Sequence, residues 1–287
     1  MNTGNKLHFT KTHGAGNDIV IIDDRSATFP EHDAAFIRAL SDRRLGIGCE
    51  GVALIRLAET FAGCSFRMVF FNPDGARAAF CGNAARCVAL FAYKAGIGGK
   101  TQTIASDAGE FKAEILSVDS HCAKAEIRVE MPPPRNREKS VMVCGRDCYL
   151  LDTGVPHAVA FVDDAASLDI AAEGRALRFA PQFAPDGANI DFVQITGAST
   201  AKMRVYERGV EAESGACGTG ACAVGAAMAE RLGAPLPISL ETSAGHILAV
   251  DGDFGADGLL EKIRLSGPAE IVFEGALSAN LRGGESA

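Results

Sequence analysis

Apolar positions along the chain fall into short alternating runs, Ser65 to Phe71, Ala125 to Met131, Lys202 to Glu207, Ile247 to Val250 and Lys262 to Leu265, each bounded by turn residues. Alternation with period two predicts strands with one face buried. Two segments break the pattern. Cys87 to Gly96 and Ala221 to Gly233 read as helices ended by glycine, the second with Leu232-Gly233 ahead of a proline-containing stop. Within it, Ala223-Val224-Gly225-Ala226-Ala227-Met228-Ala229 is small or apolar on every side, which predicts a helix enclosed by sheet. The expected class is α+β, rich in antiparallel strands.

The pattern occurs twice in the same order. Thr12-His13-Gly14 followed by Ile19-Val20-Ile21-Ile22-Asp23-Asp24 is echoed by Thr153-Gly154-Val155-Pro156-His157 followed by Ala158-Val159-Ala160-Phe161-Val162-Asp163-Asp164. Each half then carries a cysteine motif, Cys81-Gly82-Asn83-Ala84-Ala85-Arg86-Cys87 and Cys217-Gly218-Thr219-Gly220-Ala221-Cys222. Thr103-Ile104-Ala105-Ser106-Asp107-Ala108-Gly109 and Leu240-Glu241-Thr242-Ser243-Ala244-Gly245 follow, each leading into another alternating run. Two related domains are implied, 1–119 and 120–267, with Met131-Pro132-Pro133-Pro134 an extended bend early in the second. A last strand, Glu270 to Phe273 within 268–281, is expected to return to the first domain ahead of a disordered glycine-rich tail.

In each motif the first cysteine and a glycine stand at a helix start. Unpaired amides and the positive end of the helix dipole stabilise negative charge there, which predicts a thiol pKa lowered towards neutrality. The glycine leaves backbone amides open to an anion such as a carboxylate. Together they suggest a carboxylate site flanked by two matched acid/base thiols. Taken singly, free cysteines are buried small hydrophobes by default, the reading given to Cys49, Cys64, Cys87, Cys122 and Cys222.

Composition narrows the class. The chain has 287 residues, 47% of them hydrophobic, enough for a substantial core, and a net charge of −8 without a basic run, which argues against nucleic acid as a partner. Lys6, Lys11 and polar neighbours replace the apolar core of a secretory signal, and no apolar stretch is long enough to span a membrane. Nine scattered cysteines do not form a secreted disulfide framework, so a reducing cytoplasm is expected. On a helix, Cys81 and Cys87 stand about 240° apart and Cys217 and Cys222 about 140° apart, so neither pair shares a face to chelate a metal. Cys144 and Cys148 have no matching His or Cys pair and read as packing residues; no metal site is expected.

The motifs, in order, are similar to those of the diaminopimelate epimerase family of cofactor-independent amino-acid epimerases and racemases. The resemblance runs from His13-Gly14-Ala15-Gly16-Asn17-Asp18 through Arg43-Arg44-Leu45-Gly46-Ile47-Gly48, Phe71-Asn72-Pro73-Asp74-Gly75 and the first cysteine motif to Tyr206-Glu207-Arg208-Gly209 and the second. It implies two pseudosymmetric domains, each a mostly antiparallel sheet or barrel wrapped around a central helix, with the active site in the cleft between them. Cys81 and Cys217 would then be the catalytic pair, one removing the α-proton and the other protonating the carbanion from the far side. The amides of Gly82, Asn83, Gly218 and Thr219 would hold the substrate carboxylate, Asn17, Asn72, Asn189, Glu207 and Arg208 would recognise the substrate, and His157 would lie near the reacting centre. The family needs no pyridoxal phosphate, and the likeness suggests a homodimer.

The leading expectation is epimerisation of LL-2,6-diaminopimelate to its meso form, in lysine and cell-wall precursor synthesis. Two departures bear on substrate: many family members carry Gln where Gly51 stands and Asn where Val155 stands. They motivate a related racemase for another amino acid as the alternative. A thiol oxidoreductase using Cys81 and Cys217 is a different class, weakened by the absence of a Cys-x-x-Cys motif. A binding protein without chemistry is a third, weakened by retention of both cysteines.

Overall fold

A computed structural model describes residues 6–278, and these divide into two compact units, one of residues 6–129 with 268–278 and the other Glu130–Gly267. The first unit thus extends beyond the expected change near Asp119, because Ala125 to Val129 ladder with the preceding strand. The final strand belongs to the first unit as far as it is described; residues 279–281 and the glycine-rich tail lie outside the described residues.

In chain order the first unit contains β1 (Lys6–Gly14), β2 (Asn17–Asp23), α1 (Ala34–Ser41), β3 (Gly51–Arg56), β4 (Phe66–Phe71), β5 (Arg77–Ala78), α2 (Gly82–Lys94), β6 (Thr101–Ser106), β7 (Gly109–Val118) and β8 (Lys124–Met131). The second contains β9 (Arg135–Val143), β10 (Arg146–Asp152), β11 (Pro156–Phe161), α3 (Ile170–Arg178), a short 3-10 turn (Pro181–Phe183), β12 (Asn189–Gly197), β13 (Thr200–Glu207), β14 (Ala212–Ser214), α4 (Gly218–Leu232), β15 (Ile238–Glu241) and β16 (Ile247–Phe254). A long β17 (Leu260–Ser278) contributes its start to the second unit and its end to the first.

Both units use one plan. In the first, β1 pairs antiparallel with β2, β2 parallel with β3, β3 antiparallel with β4, β4 parallel with β6, and β7 and β8 follow antiparallel. The end of β17 pairs with both β1 and β8, so the ring of strands closes. In the second, β9, β10 and β11 run antiparallel, β11 pairs parallel with β12, β12 antiparallel with β13, β13 parallel with β15, and β16 and the start of β17 follow antiparallel. The two parallel steps fall at the same places in both. The duplication read from sequence is therefore a duplication of strand order and direction.

Each unit encloses one helix. From Gly82 to Leu90 every residue of α2 is buried, packed against β1, β2, β3, β4 and β7. In α4 nearly every residue from Gly218 to Ala229 is buried, and its end is closed by Gly233 in the left-handed conformation at φ 67°. Alternation along the strands decides what each face meets. Ile190 and Phe192 of β12 pack outward with Ile170 and Leu177 of α3, which leaves Asn189 and Asp191 on the inner face with α4. Likewise Val52 and Leu54 of β3 meet Ile37 and Leu40 of α1. Among the described residues no helix is long and apolar enough to cross a membrane.

Candidate active site

Cys217 is the N-cap of α4, and its Sγ accepts the Gly220 N–H at 3.3 Å. The Thr219 hydroxyl lies 3.3 Å from the same sulfur. Only 7% of Cys217 is exposed. Burial, together with the carboxylates of Glu207 and Asp191, pushes this thiol well above its usual range, against the smaller opposing effects of Thr219 and the Gly220 amide. The sequence predicts a lowered pKa from the helix start alone; in the folded unit desolvation and two non-local carboxylates move it in the opposite direction.

A buried polar chain leads away from that sulfur. Thr219 Oγ1 is 3.0 Å from His157 Nε2, and His157 Nδ1 is 2.7 Å from Asp191 Oδ2. His157 and Asp191 are 1% and 0% exposed. Their placement follows from the parallel register of β11 and β12, which sets His157 beside Asn189 and, two residues on, Val159 beside Asp191. Asn189 fixes the tautomer. Its Oδ1 accepts the Arg208 backbone N–H at 2.7 Å, which turns its amine towards His157 Nε2 at 3.3 Å. With Nε2 an acceptor, the imidazole proton resides on Nδ1 and is donated to Asp191.

Of the residues expected to form the site, the second unit brings His157, Asn189, Glu207, Arg208, Cys217, Gly218 and Thr219 together around the start of α4. Arg208 contributes its backbone amide there. Asp191 was not foreseen. Its signal was an ionisable residue inside the apolar run Ile190-Asp191-Phe192-Val193, two positions from Asn189 and so on the same strand face. Its Oδ1 is buried without a hydrogen-bond partner, and a Cβ on Gly220 would stand only 2.5 Å from it. Gly220 is small because Asp191 occupies the space.

In the first unit Cys81 is the N-cap of α2, with extended backbone (φ −145°, ψ 116°) and no thiol capping bond to the helix. It is half-buried, whereas Gly82 and Asn83 are buried. The Asn83 side chain accepts from Arg86 Nη2 at 2.7 Å. Arg86, 0% exposed, also reaches the carbonyl of Pro268 at 3.4 Å and that of Gly82 at 3.5 Å, which ties the first turn of α2 to β17. Gly14 packs so closely that a Cβ there would lie 2.9 Å from the Asn83 carbonyl, and Gly14 pairs with Asn17 across the hairpin. Asn17 donates to Glu50, beside the ion pairs of Asp18 with Arg43 at 2.7 Å and with Lys11 at 2.5 Å. Asn72 is exposed and makes a turn, its amide bonded to Ala76 O and its carbonyl to Gly75 N. The structure thus groups Cys81, Gly82 and Asn83 at one helix start, while Asn17 and Asn72 are held by neighbours of their own.

The remaining cysteines divide. Cys49, Cys87, Cys148 and Cys222 are buried, and burial pushes the Cys87 thiol up to about 12 and Cys148 to about 11. Cys64 and Cys122 are only half-buried, and Cys144, read as a packing residue, is exposed on the left-handed turn between β9 and β10, at φ 48°. None of the nine is in a disulfide. Among the described residues no group of three His, Cys, Asp or Glu is arranged to hold a metal.

Solved structures share this architecture. A hydroxyproline epimerase from Agrobacterium vitis superposes with a TM-score of 0.70 at 16% identity, covering 98% of this chain and 95% of that one. A phenazine biosynthesis protein of the PhzF family from Bacillus anthracis gives 0.70 at 14% identity, covering 95% and 99%. The class is therefore the duplicated α+β fold in which each half wraps a central helix. Residues 9–135 and 149–257 match the family model described as diaminopimelate epimerase. The diaminopimelate epimerase of Aquifex aeolicus is 37% identical over 284 residues, covering 95% of this chain and 98% of that protein, and that of Flavobacterium psychrophilum is 37% identical over 268 residues, covering 92% and 97%. The chain belongs to the diaminopimelate epimerase family and is an isomerase.

Proposed function

We propose that the protein interconverts LL-2,6-diaminopimelate and its meso form by a two-cysteine proton transfer, with Cys81 and Cys217 acting on opposite faces of one substrate Cα. The observation that supports this most is the placement of a cysteine as N-cap of the buried helix in each unit of a duplicated fold. Inversion needs a base on one face and an acid on the other. In one direction one cysteine removes the α-proton as thiolate and the other delivers a proton as thiol; the reverse reaction exchanges the roles.

Removing the α-proton spreads negative charge onto the substrate carboxylate. The amides of Gly82, Asn83, Gly218 and Thr219, at the first turns of α2 and α4, are the donors assigned to it, and each donor aimed at such developing charge is worth about 3 kcal/mol of barrier. No pyridoxal phosphate enters this scheme, since oriented amides and two thiols supply both the charge stabilisation and the proton transfers. The reading extends to a cytoplasmic homodimer acting on a small amino acid, without nucleic acid or membrane, its thiols kept reduced.

One observation favours a neighbouring substrate as the second reading. Space for a side chain at position 51 is filled by Phe70, whose ring would lie 2.4 Å from a Cβ on Gly51. An aromatic wall stands where a longer polar side chain would otherwise reach. Chiral chromatography of LL-diaminopimelate incubated with reduced protein and no added cofactor tests the first reading. Appearance of the meso isomer, lost in both Cys81→Ala and Cys217→Ala, supports it; no turnover of diaminopimelate with turnover of another amino acid replaces it with the second.

A further inference from the structure

We infer that the second unit holds a binding cleft for a small zwitterion, a carboxylate and a cationic nitrogen in one molecule as in a free amino acid, beside β13, β14 and the turn after β15. The inference is independent of the proposed reaction. It comes from a place where the two copies of the duplicated fold carry different charges.

In the first unit that place is filled from within the chain. Asp107, in the turn after β6, accepts Arg77 Nη2 at 2.9 Å and Arg67 Nη2 at 2.8 Å, and Arg77 Nε donates to its second oxygen. Arg77 also reaches Glu31, from the loop after β2, at 3.3 Å. The neighbouring hydroxyl is in use as well: Ser106 Oγ donates to Gly109 O at 2.8 Å and accepts the Ala108 N–H at 3.2 Å. A carboxylate and a guanidinium close the position.

Strand registers identify the counterparts. Arg67 lies four residues before Phe71, which pairs with Arg77, and Lys202 lies four before Tyr206, which pairs with Glu213. Arg77 and Glu213 each stand four residues ahead of the N-cap cysteine of their unit. The parallel partners of Arg67 and Lys202 are Ala105 and Glu241, each two positions before the turn residue, Asp107 in one unit and Ser243 in the other. The carboxylate of Asp107 therefore becomes the short hydroxyl of Ser243, and the guanidinium of Arg77 becomes the carboxylate of Glu213. Lys202 keeps the charge of Arg67.

In the second unit the same position is a cleft of about 610 Å³, whose small wall residues include Ala165 and Ala166 from the loop after β11, Gly215 and Ala244. Thr242 borders it. This residue is 5% exposed, and its Oγ1 is buried with no hydrogen-bond partner among the described residues, unlike the partnered Ser106 of the first unit. A buried hydroxyl left unpartnered is unfavourable, and a carboxylate seated in the cleft can accept from it. Lys202 supplies the matching charge, since its half-exposed ammonium stands 3.9 Å from Glu241, the limit of an ion pair. At the other end Glu213 accepts Arg204 Nε and Nη2, both at 2.7 Å, and each of its oxygens keeps a lone pair for a ligand cation. Glu241 adds a second carboxylate there. Arg204 is itself held by the carbonyls of Ala165 at 2.9 Å and Leu168 at 3.1 Å, which fixes Glu213 in place. A bound zwitterion thus restores the carboxylate–cation pair that the first unit makes from Asp107 and Arg77. The cleft adjoins the segment that enters α4, because Ser243 Oγ donates to Ser214 O at 3.1 Å.

The test uses the full, reduced protein and L-arginine, which carries both groups. Alanine-methyl NMR follows Ala165 and Ala244, assigned through Ala165→Ser and Ala244→Ser. Both signals should shift saturably with millimolar L-arginine, and much less with propionate or ethylguanidinium at the same concentration. Lys202→Ala, at a half-exposed position, should weaken the response at least about threefold. Ser243→Asp, with folding checked by circular dichroism, supplies the carboxylate from the chain and should weaken it as well. No saturable shift, an equal response to ethylguanidinium alone, or a response unchanged in Lys202→Ala overturns the inference. Diaminopimelate turnover plays no part in this measurement, so failure of the proposed reaction and failure of the cleft are distinguishable.

Discussion

Gly225 sits midway along α4, where a Cβ would lie 2.5 Å from Val250 Cγ1, 2.7 Å from Val250 Cβ and 3.0 Å from Cγ2. In an exposed helix, Gly→Ala stabilises by about 1 kcal/mol. Here the added methyl meets a 0% exposed, β-branched side chain whose Cβ is one bond from the main chain of β16, so the neighbour yields little. Overpacking of this kind costs about 1–3 kcal/mol, and the stiff neighbour places it in the upper part of that range. The net effect of Gly225→Ala is a loss of about 1–2 kcal/mol, the overpacking cost less the helix gain. Val250→Ala removes Cγ1 and Cγ2, two of the three obstructing atoms, and the added methyl then shifts into the vacated space. The double variant should therefore be more stable than the two single effects predict together, by about 1 kcal/mol or more. Urea denaturation followed by circular dichroism measures all four proteins. Stabilisation by Gly225→Ala, or strict additivity with Val250→Ala, would show that α4 is not enclosed against β16 as described.

Three other expectations follow from the geometry. Gly220→Ala pushes a methyl against Asp191 Oδ1 and to 3.3 Å from Cys217 Sγ, displacing both, and should lower kcat about 100-fold with folding retained, as measured by initial rates; a rate within a factor of about two would refute it. Gly51→Gln collides with the Phe70 ring and should lower stability by about 1–3 kcal/mol, recovered in part by adding Phe70→Ala; a neutral single substitution in thermal melts would contradict the packing. Hydrogen bonds from Arg77 foremost, and from Arg67, hold the Asp107 carboxyl below its ordinary 3.8. Because the folded value is the depressed one, its contribution to stability is complete above 3.8 and is lost as pH falls through the folded value. Asp107→Asn should flatten that acid limb in pH-dependent melts, and an unchanged limb would remove the pairing from the account.

The parts of the fold legible in sequence were those written in local pattern. Period-two alternation marked the strands, and a run without a polar face marked α4 as enclosed. Repetition of whole motifs revealed the two halves because each half preserved the order of strand, cysteine and helix. The unit change was misplaced because Ala125 to Met131 reads as a strand whichever unit it joins; only its ladder with β7 decides. In the second unit the residues named from the motifs gather at the start of α4, but their electrostatics were not legible. A helix start predicts a lowered thiol pKa, but Glu207 and Asp191 reach Cys217 through strand registers that sequence spacing does not encode. For the same reason Asp191 was missed: its meaning depends on which residue of β11 lies beside it. Asn17, expected to recognise the substrate, pairs with Gly14 across the hairpin, and its side chain donates to Glu50 through a contact between residues 33 positions apart that spacing does not encode.

The most direct test of the proposed chemistry is the α-proton signal of LL-diaminopimelate, followed by NMR in deuterated buffer with purified, reduced protein and no added cofactor. The account predicts loss of that signal together with formation of the meso isomer, and no meso isomer with either Cys81→Ala or Cys217→Ala. Retention of the α-proton by folded protein with its thiols reduced would contradict diaminopimelate as substrate, and interconversion surviving the loss of either cysteine would contradict the two-thiol mechanism itself.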